Sequence, residues 1–208
     1  VSEIEKECCT GCCFYDNGNC QLENPNCFNS GIIWVQKEDY MSSKKIFIDT
    51  ETTGLSAYSS QIAQLSYLII EDGEILQAKN FFFTVDKVAE RIHGLSKEIL
   101  KKLSKGKVFK DYAEEILRDF TGNMVIGHNV NFDLGFLREE LNRIGITLDI
   151  KDSFCTMHYY TDVCKIGYNS YYGTYKWPRL EEVINCLGIN SKDILKVCLE
   201  NRVMFVTG

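Results

Sequence analysis

The sequence lacks any apolar run near the roughly 18 residues that a membrane-spanning helix needs. Its most apolar stretches, such as Tyr67-Leu68-Ile69-Ile70, have the length of a strand. Only two prolines occur in 208 residues, and no internal repeat or low-complexity run is found, so a collagen-like or repeat architecture is excluded. The first residues, Val1-Ser2-Glu3-Ile4-Glu5-Lys6-Glu7, are acidic and polar, unlike a secretory signal. A cytoplasmic location with reduced thiols is therefore expected. Positive charge is also short: 23 Lys and Arg stand against 29 Asp and Glu, a net charge of −6. Proteins that hold nucleic acid by bulk attraction are usually basic, so any such contact must be local or carried by metal ions. What remains is an average globular composition, 45% hydrophobic and 25% charged, which excludes whole-chain disorder.

Two residue types are concentrated locally. Six of the ten cysteines (Cys8, Cys9, Cys12, Cys13, Cys20 and Cys27) lie in the first 27 residues. Residues 1–40 are thus expected to form a small Cys-rich module and linker, too short to bury a core of its own. Residues 41–208 would form the main domain. Cys9 and Cys12 make a CxxC knuckle, and Cys20 and Cys27 complete a four-thiolate set, at spacings x2, x7 and x6, that suits tetrahedral Zn²⁺. A disulfide-linked or simply reduced arm is the alternative. The later cysteines, Cys155, Cys164, Cys186 and Cys198, are expected to pack as small hydrophobes. Lysine is concentrated between Lys97 and Lys110, where Lys97, Lys101, Lys102, Lys105, Lys107 and Lys110 oppose a single Glu98. That run is either a solvated helix face or a rim that touches phosphates.

From Lys45 onward the pattern is α/β. Ile46-Phe47-Ile48 reads as a short buried strand. Ile62 to Glu71 is a second, ended by the hairpin signal Asp72-Gly73, and Glu74 to Val85 is a third. Ser96 is placed to cap a helix beginning near Lys97. Asp111 to Phe120 has helical spacing, Met124 to Ile126 is strand-like, and Asn131 to Ile144 is a helix closed by Gly145. Leu180 to Leu187 and a segment from Ser191 or Asp193 to about Phe205 read as the last helices. His93 and His158 read as loop residues. Three strands followed by strand–helix alternation predict a mixed central sheet flanked by helices.

Two acidic stretches carry the chemistry. The strand Ile46-Phe47-Ile48 runs straight into Asp49-Thr50-Glu51, and side chains two apart on a strand point the same way. Two such carboxylates repel unless a cation lies between them, and hard oxygen ligands suit Mg²⁺ or Mn²⁺. An exposed turn is the plainer reading. In Gly127-His128-Asn129-Val130-Asn131-Phe132-Asp133, a strand stops and a helix begins. Asp133 either compensates the helix dipole or joins the other two acids.

Together, FIDTETTGL and, about 70 residues later, GHNVNFDLGFL resemble the DEDD (DnaQ-like) superfamily of 3′–5′ exonucleases, in particular the epsilon proofreading subunit of bacterial DNA polymerase III. Arg91-Ile92-His93-Gly94-Leu95-Ser96 resembles an intervening family segment. Cys155-Thr156-Met157 and Tyr175-Lys176-Trp177-Pro178-Arg179-Leu180 resemble segments of a bacterial subgroup. The resemblance implies a ribonuclease-H-like fold holding two Mg²⁺ or Mn²⁺ ions. It implies that Asp49 bridges both ions, that Glu51 serves the first and orients the attacking water, and that Asp133 serves the second. It also implies that Thr52, Gly54, Leu55, His128, Asn129 and Phe132 lie along the 3′ nucleotide.

The family's third motif is altered. Aligned on Leu187-Gly188-Ile189, the expected general-base His is Leu195 and the expected Asp is Glu200, which can still bind metal. Asp193 is an alternative fourth acid. Losing a general base costs about 10²–10⁴-fold in rate. The expected function is a metal-dependent 3′–5′ exonuclease on single-stranded or frayed nucleic-acid ends, DNA more than RNA, with a polymerase or replication partner. The alternative is a weakened or inactive exonuclease-fold protein that binds nucleic acid.

Overall fold

The structure, a computed structural model, describes residues 15–16, 19–20, 44–190, 192–194 and 196. The chain divides into two compact units, Val1–Ser42 and Ser43–Gly208. In the first, β1 (Tyr15–Asp16) pairs antiparallel with β2 (Asn19–Cys20). Cys9, Cys12 and Cys27 lie outside the described residues, and of Cys20 only the backbone is described.

The second unit is built on β3 (Lys45–Thr52), β4 (Ile62–Glu71), β5 (Glu74–Phe82), β6 (Met124–Gly127) and β7 (Asp152–Cys155). They form one mixed sheet in the order β5-β4-β3-β6-β7. The hairpin strands β3, β4 and β5 are antiparallel, whereas β6 and β7 run parallel to β3. Between them come α1 (Glu90–His93), α2 (Lys97–Ser104), a 3₁₀ turn (Phe109–Tyr112), α3 (Ala113–Phe120) and α4 (Val130–Asn142). The chain then forms α5 (Thr156–Cys164), the short hairpin β8 (Tyr168–Asn169) and β9 (Thr174–Tyr175), and α6 (Leu180–Cys186). This is the mixed, helix-flanked, ribonuclease-H-like sheet expected from the sequence. Among the described residues, no helix is long and apolar enough to cross a membrane.

Local chemistry explains most boundaries. The β4–β5 turn uses Asp72 and Gly73, at φ 51° and 85°, as a tight hairpin requires. Ser96 caps α2 by accepting the Ile99 N–H at 3.2 Å. One face of the sheet is apolar: Ile46, Ile48, Leu65, Tyr67 and Ile69 are buried with Ile116 and Phe120 of α3 and Leu134, Leu137 and Leu141 of α4.

Several sequence expectations are corrected. β3 does not stop at Ile48 but continues through both acids to Thr52, with a bulge at Glu51/Thr52. The helix expected over Asp111–Phe120 is a 3₁₀ turn followed by α3. The strand β7, the helix α5 and the β8–β9 hairpin are additions that the sequence pattern does not announce. His93 ends α1, and His158 lies within α5 rather than in a loop. Cys155 packs on the core, whereas Cys164 is half-buried and Cys186 exposed, the two thiols meeting each other by a hydrogen bond rather than entering the core. Cys198 and most of the expected last helix lie outside the described residues.

Candidate active site

The two-residue period of β3 separates two sets of side chains. Ile46, Ile48, Thr50 and Thr52 face the core, while Asp49 and Glu51 face the other way. The register extends that second face sideways. Asp49 lies opposite Ser66 and then Asn80, and Glu51 opposite Gln64 and then Phe82. The acids thus head a polar row: Gln64 Nε2 donates to Asn80 Oδ1 (2.9 Å) and Ser66 Oγ (3.2 Å). Buried Gln64 Oε1 and Asn80 Nδ2 have no partner. The sequence reading does not include Gln64 and Ser66 in the site, although polar residues two apart in an apolar strand are a legible signal.

The parallel register Phe47↔Ile126 brings the end of β6 beside Asp49, so the turn after Gly127 opens at the acids. Asn129 begins α4 in a left-handed conformation, φ 69°, and is exposed. Asp133 lies in the first turn of α4 and is only 4% exposed. The hydroxyl of Thr50 donates to Asp133 Oδ1 at 2.7 Å. In the sequence pattern Thr50 is only a spacer between two acids, yet in the fold it joins the two acidic motifs.

The electrostatics are those of crowded anions. The Asp49 carboxyl is raised above its usual range by desolvation, and Glu51 by desolvation and then the charge of Asp49. Asp133 is pushed up to about 7, first by burial and then by the charge of Asp49, against hydrogen bonds from Thr50 that lower it. Asp49 is therefore coupled to both other acids. Among the described residues no Lys or Arg forms an ion pair with any of the three. Nor do three acids, histidines or cysteines stand close enough there to hold a metal ion as they are. The donor chemistry nonetheless fits a hard divalent cation: anionic oxygens, Asp49 repelling each of the other two, with no Lys or Arg ion-paired to them among the described residues. Leu195 and Glu200 lie outside the described residues, and Asp193 is exposed.

The loop after β3 is held from behind. Thr52 Oγ1 donates to the Gly54 carbonyl (2.7 Å), so this buried threonine braces the loop. A Cβ on Gly54 would meet Ser60 Oγ at 2.6 Å. Buried Glu140 accepts the Ile62 N–H (3.0 Å) and pairs with Arg143 (3.0 Å). Arg143 Nη2 in turn donates to the carbonyls of Ala57 (2.5 Å) and Ser60 (2.8 Å). Leu55 projects from this loop, 83% exposed. Phe132 is half-buried and packs on Phe136 with ring centres 4.9 Å apart.

His128 has both ring nitrogens engaged, with Thr156 Oγ1 (3.1 Å) and the Pro178 carbonyl (2.9 Å). It pins the turn to the segment after β9. The lysines at 97, 101, 102, 105, 107 and 110 are all exposed. The Thr84 N–H, two residues past the end of β5, donates to the Lys107 carbonyl (2.7 Å), at the same end of the sheet as Glu51.

Comparisons with known proteins agree with this geometry. The RNase_T family, described as Exonuclease, matches residues 46–185. DNA polymerase III subunit epsilon of Pasteurella multocida is 28% identical over 166 residues, 74% of this chain and 61% of that protein. The 3′–5′ exonuclease DinG of Bacillus subtilis is 31% identical over 108 residues, 50% of this chain and 11% of that protein. Among solved structures, E. coli exonuclease I in complex with a dT13 oligonucleotide is similar at a TM-score of 0.58 and 20% identity, over 71% of this chain and 36% of that one. The chain thus spans less than two thirds of each of these relatives. The family match over the strand and helix that carry the acids means that the chain belongs to the RNase_T exonuclease family, within the DnaQ-like DEDD superfamily.

Proposed function

We propose that this chain is a divalent-metal-dependent 3′–5′ exonuclease acting on single-stranded or frayed DNA ends. One observation carries the reading: Asp49 and Glu51 share one face of β3 beside the turn that leads into Asp133, which Thr50 of the same strand bonds, with no Lys or Arg ion-paired to any of the three among the described residues. Asp49, Glu51 and Asp133, with Glu200, would hold Mg²⁺ or Mn²⁺. Two such ions, when bound, supply Lewis-acid stabilisation of the attacking and leaving oxygens in phosphodiester hydrolysis. The chain's own residues do the positioning. Thr50 fixes the Asp133 carboxylate, and Arg143 and Glu140 brace the loop bearing Gly54 and Leu55. Leu55, Asn129 and Phe132 line the terminal nucleotide, with Thr52 and His128 holding their backbones.

Leu195 in place of a general base favours slow turnover, and a strand-binding protein without chemistry is the second reading. A replication polymerase is the partner suggested by the epsilon relative. In the Cys-rich residues 1–40, Cys9, Cys12, Cys20 and Cys27 would hold one Zn²⁺; metal analysis of the reduced protein finding none per chain ends that idea. The polarity test uses a 5′-labelled oligonucleotide with Mn²⁺. A ladder shortening one nucleotide at a time from the 3′ end, blocked by a 3′-terminal phosphorothioate, is expected. Release of the label as a mononucleotide contradicts the reading.

A further inference from the structure

Between α5 and α6 the chain exposes aromatic surface that no packing in the fold uses. Tyr171 is 86% exposed, Tyr172 72%, Trp177 63% and Tyr168 60%. Tyr168, Tyr172 and Trp177 line a groove of about 1220 Å³ along the β8–β9 hairpin, with Gly167, Asn169 and Gly173, and Tyr171 stands beside it against Tyr172. Such a concentration of solvent-facing rings costs hydration free energy unless something covers it. The rings hold fixed orientations: Tyr168 sits edge-on to Tyr175 (centres 5.2 Å), Tyr171 edge-on to Tyr172 (4.8 Å), and Trp177 leans on His158 (5.3 Å).

Two further observations identify the occupant. The first is continuity with the acids. Pro178, next to Trp177, accepts the hydrogen bond from His128 at 2.9 Å, so the hairpin is pinned to the turn that opens beside Asp49. The second is charge. Residues 163–180 contain Lys165, Lys176 and Arg179 and no acid, in a chain of net charge −6. Lys176 is paired with Glu182 (2.5 Å), and Asp162 also lines the groove, while Lys165 and Arg179 form no ion pair among the described residues. Exposed rings beside two cations, Lys165 and Arg179, that form no ion pair among the described residues suit a ligand with flat faces and a phosphate backbone. Every base has such a face, so stacking holds single strands without reading sequence.

We infer that the β8–β9 hairpin is a stacking platform for the unpaired bases that precede the 3′ terminus, with Trp177, Tyr171 and Tyr172 as its rings. This rests on the exonuclease reading for the direction of the strand. It deepens that reading by separating strand-holding from chemistry: the platform binds bases, while the acids act on the last phosphodiester. The exposure of Tyr171 and Tyr172 means that their replacement leaves the core intact.

The test uses the full chain carrying Trp34→Phe, which leaves Trp177 as the single tryptophan reporter. Binding is measured in EDTA to dT10 and to a ten-unit abasic strand of the same charge. Titration with dT10 is expected to quench Trp177. The added pair Tyr171→Ser and Tyr172→Ser is expected to weaken dT10 binding by roughly 5- to 150-fold for each stacked ring removed, and to leave abasic-strand binding unchanged. Equal affinity of both proteins for dT10, equal weakening toward both strands, or no binding of either strand overturns the proposal. So does a chain dimer that the tyrosine replacements abolish, which would make a second copy the occupant. Hydrolysis at strand concentrations well below saturation that is lost on Asp49→Ala but indifferent to the tyrosines would sink the platform alone. Stacking intact with no metal-dependent hydrolysis would sink the chemistry alone.

Discussion

Thr50 Oγ1 donates to Asp133 Oδ1 at 2.7 Å, a single bond that closes 83 residues of chain and ties the strand of one acidic motif to the helix of the other. Both residues are buried, at 8% and 4% exposure, so the bond is made away from bulk water. Thr50→Val leaves the carboxyl without this donor and is expected to cost about 1–3 kcal/mol. Thr50→Ser is expected to recover most of that. Urea denaturation of the metal-free proteins measures both; equal stability of wild type and Thr50→Val contradicts the role.

Asp133 also predicts a pH dependence. Its carboxyl rises from 3.8 to about 7 on folding. An acid raised in the folded state contributes full stability below its unfolded value and loses it as pH climbs through the folded one. Metal-free wild type therefore loses stability between about pH 4 and 7 through this group. Asp133→Asn is expected to remove that decline and to be more stable than wild type at pH 7.5 by about 1–3 kcal/mol, with the difference closing toward pH 4. Parallel pH profiles of the melting temperature would rule this out.

Arg143 holds the loop after β3 by its guanidinium, donating to Ala57 and Ser60 while pairing with Glu140. Arg143→Ala leaves Glu140 buried with one partner fewer and is expected to destabilise by about 1–3 kcal/mol. Chymotrypsin should then cut faster at Tyr58, which is 87% exposed. Arg143→Lys is expected to rescue poorly, because one ammonium nitrogen cannot stand both at Glu140, where Nη1 lies, and at the loop carbonyls, where Nη2 lies. Cleavage rates identical to wild type refute the brace.

Lys107 of the exposed lysine run is bonded to Thr84, just past β5 at the end of the sheet where Glu51 lies. If these lysines touch phosphates, replacing Lys101, Lys102 and Lys105 by Glu lowers oligonucleotide affinity and reduces the salt slope by about 0.7 for each phosphate no longer neutralised. An unchanged slope returns the run to a solvated helix face.

Leu195→His is expected to raise turnover by about 10²-fold or more, since a positioned general base is worth that much. No gain in single-turnover rate would mean that slow turnover does not stem from the altered third motif.

How much of the fold and site is legible in the sequence depends on how local the signal is. The Asp72-Gly73 turn and the Ser96 cap are set by one or two residues, and both lie where the sequence puts them. The shared face of Asp49 and Glu51 follows from strand period alone. β7 is not legible because Asp152-Ser153-Phe154-Cys155 carries too little apolar character; its place at the sheet edge comes from pairing with β6. The hairpin of tyrosines reads as loop because each strand is two residues long. Thr50, Glu140 and Arg143 act across 83, 78 and 83–86 residues, distances that no pattern along the chain encodes.

The most direct measurement compares wild type and Asp49→Ala on a 3′-labelled oligonucleotide with Mn²⁺. Wild type should release the labelled terminal nucleotide, slowly, with the release abolished by EDTA and absent in Asp49→Ala. Matching time courses for the two proteins would show that these carboxylates do not carry phosphodiester hydrolysis.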